Sequence, residues 1–303
     1  LITGYFRGGE RMRPSLGRRI FEAFNYAFFI LLSLACIFPV IHVLALSFST
    51  STSAAAGKVV LWPVDFTTEA YRYTLSKREV FSAMGISFQR TLLGTAINLV
   101  LTIFAAYPLS KEKIEFRSRI IYVWYFVITI LFSGGMIPSY IIMKELGLLN
   151  SLWALILPGA VSVFSVVVLL NFFRGLPRDM VESAFVDGAG HMRVLWQLYV
   201  PLSMPSLATL ILLNAVGHWN SWFDGIIYMT SPKNYPMQSY LRTILLTPHL
   251  GALSREDALR MRELSDKTIK CAQIFIATLP ILAVYPFLQR YFVTGLTLGS
   301  VKG

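Results

Sequence analysis

Charged side chains are scarce in this sequence. Lys, Arg, Asp and Glu together make up 14% of the 303 residues, whereas hydrophobic residues make up 55%. Several apolar runs approach or exceed the roughly 20 residues that a helix needs to cross a bilayer. The runs lie at 27–48, 89–110, 120–143, 152–173, 205–230 and 270–292. This pattern excludes a soluble globular protein and predicts an all-α, polytopic membrane protein with six transmembrane helices.

Sequence motifs of the common nucleotide and hydrolase sites are also missing. The chain has no G-x-x-x-x-G-K-[ST] phosphate loop, no H-E-x-x-H zinc motif and no G-x-S-x-G nucleophile elbow. Its four histidines are scattered, and its two cysteines, Cys36 and Cys271, lie in the first and last apolar runs. We therefore expect no catalytic residue, no metal site, no disulfide and no cofactor on this chain, and no ATP hydrolysis by the chain itself.

The apolar runs predict a simple domain organisation. We expect one transmembrane domain, 27–292, preceded by a basic tail with an interfacial helix, 1–26, and followed by a short tail, 293–303. No cleavable signal peptide is expected, because the first run lies beyond a basic tail and lacks a small-residue cleavage site. Two connections are long enough to fold on their own, 174–204 and 231–269.

The distribution of basic residues predicts the orientation. Dense basic segments precede the first span and follow the second, and such short segments decide orientation under the positive-inside rule. Their members are Arg7, Arg11, Arg13, Arg18, Arg19, Lys111, Lys113, Arg117 and Arg119. Both termini and 174–204 are then cytoplasmic. The connection 231–269 faces outside, and Ser254 and Asp257 predict a further helix start there.

The connection 174–204 contains a first short amphipathic helix. Pro177 can begin it, with Asp179 as N-cap and Glu182 as the third-position acid of a capping box. Gly188 and Gly190 break this helix, and Gly188 can adopt a positive φ because it has no Cβ. One apolar face is formed by Val181, Ala184 and Phe185.

A second short helix is predicted after the glycines, ending at Pro201 and Pro205. Its apolar stripe consists of Met192, Leu195, Trp196 and Tyr199. Two short helices joined at a glycine turn make a rigid unit that is suited to a groove on another protein.

The residues of this connection resemble the coupling loop of ATP-binding-cassette (ABC) importer permeases. The matching runs are Glu182-Ser183-Ala184, Asp187-Gly188-Ala189, Leu198-Tyr199-Val200-Pro201-Leu202 and Pro205. Trp219-Asn220-Ser221-Trp222-Phe223-Asp224 and Gly295-Leu296-Thr297-Leu298-Gly299-Ser300-Val301-Lys302-Gly303 also look like this family. The similarity is closest to the carbohydrate branch, including permeases for oligo- and polysaccharides of alginate or pectin type.

The resemblance implies an assembly in a bacterial inner membrane. Its other members would be a second permease, two ATPase subunits that bind ATP and Mg²⁺, and a periplasmic or extracellular solute-binding protein. We call 174–204 the coupling loop, since the resemblance implies that it docks into the ATPase. The residues implied in this contact are Glu182, Ser183, Ala184, Asp187, Gly188, Ala189 and His191.

Polar and aromatic side chains concentrate in the fifth span. They are Asn214, His218, Trp219, Asn220, Trp222, Asp224 and Tyr228. Asn214, His218 and Trp222 have i, i+4, i+8 spacing, which predicts one shared helix face. Sugar rings stack on aromatic planes and their hydroxyls bond to amides and carboxylates, so these residues are candidates for a substrate path. The same residues also fit an interfacial aromatic belt with Asp224 at the water boundary.

Two other function classes remain open. An ion-coupled secondary sugar transporter would need intramembrane carboxylates, and Asp224 is almost the only candidate. A membrane enzyme would need clustered nucleophiles, bases or metal ligands. The net charge of +11 reflects either basic anchors beside anionic lipid or outward arginines that favour an acidic substrate such as alginate or an acidic delivery protein.

Overall fold

The computed structural model describes residues 16–112, 115–246 and 266–300. Within these ranges the regular secondary structure is helical, apart from an isolated antiparallel bridge between Ser49 and Phe66. The helices are α1 (Leu16–Ser47), α2 (Ser51–Ala55), α3 (Glu69–Ser76), α4 (Arg78–Ser110), α5 (Arg119–Leu131), α6 (Met136–Glu145), α7 (Leu152–Ile156), α8 (Val163–Arg174), α9 (Arg178–Val186), α10 (His191–Val194), α11 (Val200–Leu202), α12 (Met204–Asn220), α13 (Phe223–Tyr228), α14 (Met237–Leu246) and α15 (Asp266–Ser300).

By length and composition, the described residues contain three helices that could each span a membrane, and six spans if each bent helix pair is counted as one, which is compatible with the six that the sequence predicts. The three single helices are α1, α4 and the Lys267–Val284 part of α15, and the three further candidates are bent helix pairs. The pair α5 and α6 bends by 113°, the pair α7 and α8 by 49°, and the segment α10–α11 meets α12 at 79°. The all-α fold class is therefore confirmed within the described residues.

Several span boundaries differ from those predicted. The expected interfacial helix and first span are one helix, α1, which contains Pro39 without ending there. The third span breaks between α5 and α6, where Gly135 has a φ of 83° that residues with a Cβ rarely adopt. The fifth span ends at Asn220, and α13 follows as a separate short helix. The predicted helix start at Ser254 and Asp257, and the residues Arg7, Arg11, Arg13 and Lys113, lie outside the described residues.

The chain divides into two compact units. The smaller unit contains α1, α2, the chain up to Ala70 and the first residues of α15. Its core consists of Ala45, Leu46, Ala54, Val59 and Cys271. Nδ1 of His42 lies 2.7 Å from the carbonyl oxygen of Val60, a contact that gives this histidine a structural role.

The larger unit is organised around α4, which packs against both α8 and α12. A hydrogen bond also ties α4 to the turn between α7 and α8, where Nδ2 of Asn98 donates to the carbonyl oxygen of Gly159 at 3.3 Å. The main core cluster consists of Ile103, Ala106, Tyr107, Leu109, Val166, Leu169, Leu170, Phe173, Val194, Leu195, Tyr199, Leu207 and Leu210. Because Val194, Leu195 and Tyr199 belong to the coupling loop, the core of the membrane helices continues into that loop.

Much apolar helix surface is left uncovered within the chain. No residue of α5 is buried, and most side chains of α1 before Ile41 are exposed. In an apolar helix such exposure is compatible with lipid or with another membrane subunit, and it would be unfavourable in water.

Candidate coupling loop and polar cavity

The first helix of the coupling loop forms as predicted but begins differently. Pro177 occupies the N-cap position of α9, and no side chain caps this end. The predicted capping box, with Asp179 as N-cap, is therefore wrong. The fixed φ of Pro177 suits the helix start, and Asp179 lies in the first turn, where a carboxylate interacts favourably with the helix dipole. Val181, Ala184 and Phe185 pack against the main core cluster, which confirms the predicted apolar face.

The turn after α9 is a Schellman motif. Gly188 has a φ of 80°, its amide donates to the carbonyl of Phe185 at 3.0 Å, and the amide of Ala189 donates to the carbonyl of Ala184 at 2.9 Å. The predicted positive φ at Gly188 is therefore confirmed. These two backbone hydrogen bonds fix the direction in which the chain leaves α9.

The second half of the coupling loop differs from the prediction. After α10 the helix widens into a π-helical turn, Leu195–Tyr199, and continues as α11 through Pro201 up to a bend at Ser203. A π turn accommodates an extra residue, so the 3.6-residue spacing used to predict one apolar stripe does not apply across it. Leu195 and Tyr199 are buried, whereas Met192 and Trp196 are exposed.

The candidate ATPase-contacting residues divide into two groups. Ala184 and Ala189 pack against the main core cluster. The exposed members of the candidate set are Glu182, Ser183, Asp187, Gly188 and His191, and the apolar Val186 between them is 87% exposed. His191 also contacts the membrane helices, since its Nδ1 lies 3.1 Å from the hydroxyl of Tyr107. The exposed group forms the surface on which another protein could dock.

A polar cavity of about 330 Å³ lies at the fifth span. Four of the candidate path residues line it, namely Asn214, His218, Asp224 and Tyr228. Arg90, Ser221 and Gly217 line it as well, together with apolar residues of α7 and its continuation. Arginine, imidazole, amide, carboxylate and phenol groups in one cavity provide the donors and acceptors that a polyhydroxylated ligand can bind.

The other three candidates of the fifth span do not line this cavity. Trp219 is buried, and its Nε1 donates to the carbonyl oxygen of Ala277 at 3.1 Å. Asn220 is the last residue of α12, and Trp222 lies beyond it with the Arg242 guanidinium 4.8 Å above its ring. The prediction that Asn214, His218 and Trp222 share one helix face is therefore wrong, because α12 ends before Trp222.

An ion pair between a buried arginine and a half-buried aspartate lines the cavity. Arg90, which is 3% exposed, binds both carboxylate oxygens of Asp224 through its two terminal nitrogens. Arg90 Nη1 also donates to the carbonyl oxygen of Ser221 at 3.2 Å. The hydroxyl of Ser221 and the amide of Gly225 each donate to Asp224 Oδ1 at 2.9 Å. Asp224 is thus a paired residue of the helix bundle and does not stand alone at a water boundary.

Arg90 was missed by the sequence analysis although a signal for it exists. It stands at the start of the predicted second span, where it resembles an ordinary boundary charge. The helix instead begins at Arg78, which places Arg90 well inside it. A charged residue inside a span requires a partner, and this rule could have paired Arg90 with Asp224.

His218 occupies space that only a glycine opposite it provides. A Cβ added at Gly94 of α4 would lie 2.6 Å from Cε1 and Nε2 of the His218 ring. We expect Gly94→Ala to displace the ring into the polar cavity, because overpacking a well-packed site typically costs about 1–3 kcal/mol. If the cavity lies on the substrate path, transport should fall severalfold. Measured transport by the assembled complex checks this.

Gly85→Ala is the matched control for that substitution, because a Cβ at Gly85 of the same helix meets nothing within 4 Å. Adding His218→Ala to Gly94→Ala should restore part of the transport if the displaced ring is the cause. Full transport by Gly94→Ala alone would show that the cavity is not on the path.

The chain is similar to known proteins over nearly its full length. The chain is 40% identical over 292 residues to protein LplC of Bacillus subtilis, covering 96% of this chain and 98% of that protein. It is 38% identical over 288 residues to the polygalacturonan/rhamnogalacturonan transport system permease protein YtcP of Bacillus subtilis, covering 94% and 99%. No protein-family model matches the chain.

The fold is also similar to a solved structure. A chain of a bacterial ABC transporter involved in the import of the acidic polysaccharide alginate superposes with a TM-score of 0.86 at 29% sequence identity. The similarity covers 93% of this chain and 99% of that chain. Both the sequence and the arrangement of helices therefore lead to the same group of proteins.

Proposed function

This chain belongs to the permease subunits of ABC carbohydrate importers, and from that premise we propose that it forms, with a second permease, the membrane path for an acidic oligo- or polysaccharide. Family membership favours this function over an ion-coupled secondary sugar transporter, and it makes the chain a transport subunit rather than an enzyme. Two similar proteins support the substrate class, one named for polygalacturonan and rhamnogalacturonan, the other for alginate.

The proposed assembly contains two ATPase subunits and a solute-binding protein besides the second permease. ATP and Mg²⁺ bind to the ATPase subunits, and this chain carries no cofactor. We place both termini and the coupling loop in the cytoplasm of a bacterial inner membrane. The support for this orientation is the basic character of the short segments beside the first and second spans.

The exposed side of the coupling loop is the proposed docking surface for the ATPase. Glu182 and Asp187 provide carboxylates and Val186 an exposed apolar contact, all at the outer side of α9 and its turn. When ATP closes the ATPase pair, the loop moves with it and the helix bundle opens the cavity outward. Hydrolysis then returns the cavity to its inward-facing form. Such a cycle requires that the ATPase states bind the loop differently.

The polar cavity is the proposed position of sugar contact within this subunit. Asn214, His218 and Tyr228 provide hydrogen-bonding groups for the sugar hydroxyls. Arg90 is already bound to Asp224, so the positive charge in the cavity is compensated. We therefore assign the cavity a role in binding hydroxyl groups, while recognition of the acidic groups falls mainly to the solute-binding protein.

ATP hydrolysis by the reconstituted complex with its binding protein tests this function. A panel of neutral and uronate oligosaccharides would be compared at equal concentration. We expect stimulation by the uronate oligomers above the rate without sugar. Stimulation by neutral sugars alone would refute the acidic substrate, and no response to any sugar would refute carbohydrate import.

A further inference from the structure

Lys111 follows directly after α4 and is buried, with 8% of its surface exposed. Its Nζ lies over three aromatic rings, at 5.0 Å from the ring centre of Tyr107, 5.1 Å from Tyr199 and 5.4 Å from Phe185. Nζ also donates to the hydroxyl of Tyr199 at 3.3 Å and lies 3.7 Å from Oε2 of Glu115. This lysine therefore sits in an aromatic cage, an arrangement that binds cations through the negative ring faces.

The three rings come from three separate parts of the chain. Tyr107 belongs to α4, Phe185 to α9, and Tyr199 to the π-helical turn. The rings also contact one another and their surroundings, since Tyr107 and Tyr199 meet edge to face at 5.0 Å and Phe185 meets His191 at 5.0 Å. A single ammonium group thus joins both halves of the coupling loop to the end of one membrane helix.

An ordinary basic anchor is the competing explanation for Lys111. Anchoring lysines extend their charged end toward water or lipid phosphate, along the membrane surface. Arg117, from the same basic segment, is exposed as that role requires. Lys111 instead directs its charge into the protein, so lipid anchoring does not explain its position.

We propose that Lys111 is the positioning residue that clamps the coupling loop to α4 and transmits its movement to the membrane helices. This inference rests on the proposed function of the loop as the docking surface for the ATPase. Movement of α9 reaches α4 through Phe185, Lys111 and Tyr107. Since α4 packs on α8 and α12 and carries Arg90 at the polar cavity, the clamp connects the docking surface to the proposed path.

Sugar transported per ATP hydrolysed, measured on the reconstituted complex, is the decisive quantity. Lys111→Met keeps the length of the side chain but removes the charge, and we expect the ratio to fall roughly 2- to 30-fold, as for residues that carry coupling between sites. Lys111→Arg retains a cation that binds aromatic faces and should recover most of the ratio. Lys144→Met, on the exposed end of α6, is the control and should leave the ratio unchanged.

Two results would overturn the proposed role of Lys111. One is a wild-type ratio for Lys111→Met in a complex whose sugar-stimulated ATP hydrolysis is intact. The other is an equal loss of transport and hydrolysis together with loss of assembly, in both Lys111→Met and the milder Phe185→Leu, which would make the cage purely structural. A wild-type complex that does not respond to sugar would instead refute the proposed function itself.

Discussion

Replacing Asp224 by Asn is expected to destabilise the permease by about 3–5 kcal/mol, because it leaves the buried charge of Arg90 uncompensated. The substitution keeps the size and shape of the side chain, so packing is preserved and the electrostatic effect is isolated. A lower melting temperature of the purified complex, or a lower yield of folded permease in membranes, checks this expectation.

A double substitution separates the ion pair from its surroundings. Arg90→Met together with Asp224→Asn removes both charges, and we expect it to be more stable than Asp224→Asn alone. Glu145→Gln at the exposed end of α6 removes a carboxylate outside the cavity and should change stability by no more than about 0.5 kcal/mol. Equal stability of Asp224→Asn and Glu145→Gln would contradict the compensating role of Asp224.

Replacing Gly188 by Val should uncouple transport from ATP hydrolysis. Gly188 has a φ of 80°, which costs a residue with a Cβ about 1–2 kcal/mol and a β-branched residue more. No neighbouring atom lies within 4 Å of a Cβ at this position, so the effect comes from the backbone and not from a clash. The strain can be relieved by opening the Schellman turn, which would displace α10 relative to α9. We expect a severalfold lower ratio of sugar transported to ATP hydrolysed.

Gly190 provides the matched control two residues later. A Cβ there also meets nothing within 4 Å, but φ is −75°, which any residue adopts. Gly190→Val should therefore keep the wild-type ratio. If Gly188→Val behaved in the same way, the fixed geometry of the turn would not be needed for coupling.

Features encoded by local patterns could be predicted from the sequence. The six apolar runs match the three long helices and three bent helix pairs that could span a bilayer, since a span needs about 20 apolar residues. The glycine turn was also predictable, because Gly188 follows an amphipathic helix at the position where a left-handed residue ends it. The prediction of a capping box was wrong because the spacing of Asp179 and Glu182 is the same whether Asp179 is the N-cap or, as here, a residue of the first turn.

Features that depend on tertiary structure were not predictable in the same way. Arg90 and Asp224 are 134 residues apart, and no local pattern relates them. The break after Asn220 has no proline or glycine at its position, and the bonds that Ser221 makes with Arg90 and Asp224 stabilise it. Lys111 was assigned correctly to a basic segment, but its aromatic neighbours come mostly from the distant coupling loop.

The continuous core of the coupling loop and the membrane helices has a consequence for exchanging parts between related permeases. Val194, Leu195 and Tyr199 belong to the same buried cluster as Tyr107 of α4 and Phe173 of α8. A graft of 174–204 alone into another permease would transfer the exposed docking residues. The buried residues of the loop, however, would then lack the neighbours against which they pack. A chimera that exchanges the last two turns of α4 and the end of α8 together with the loop would keep the residues against which the loop packs.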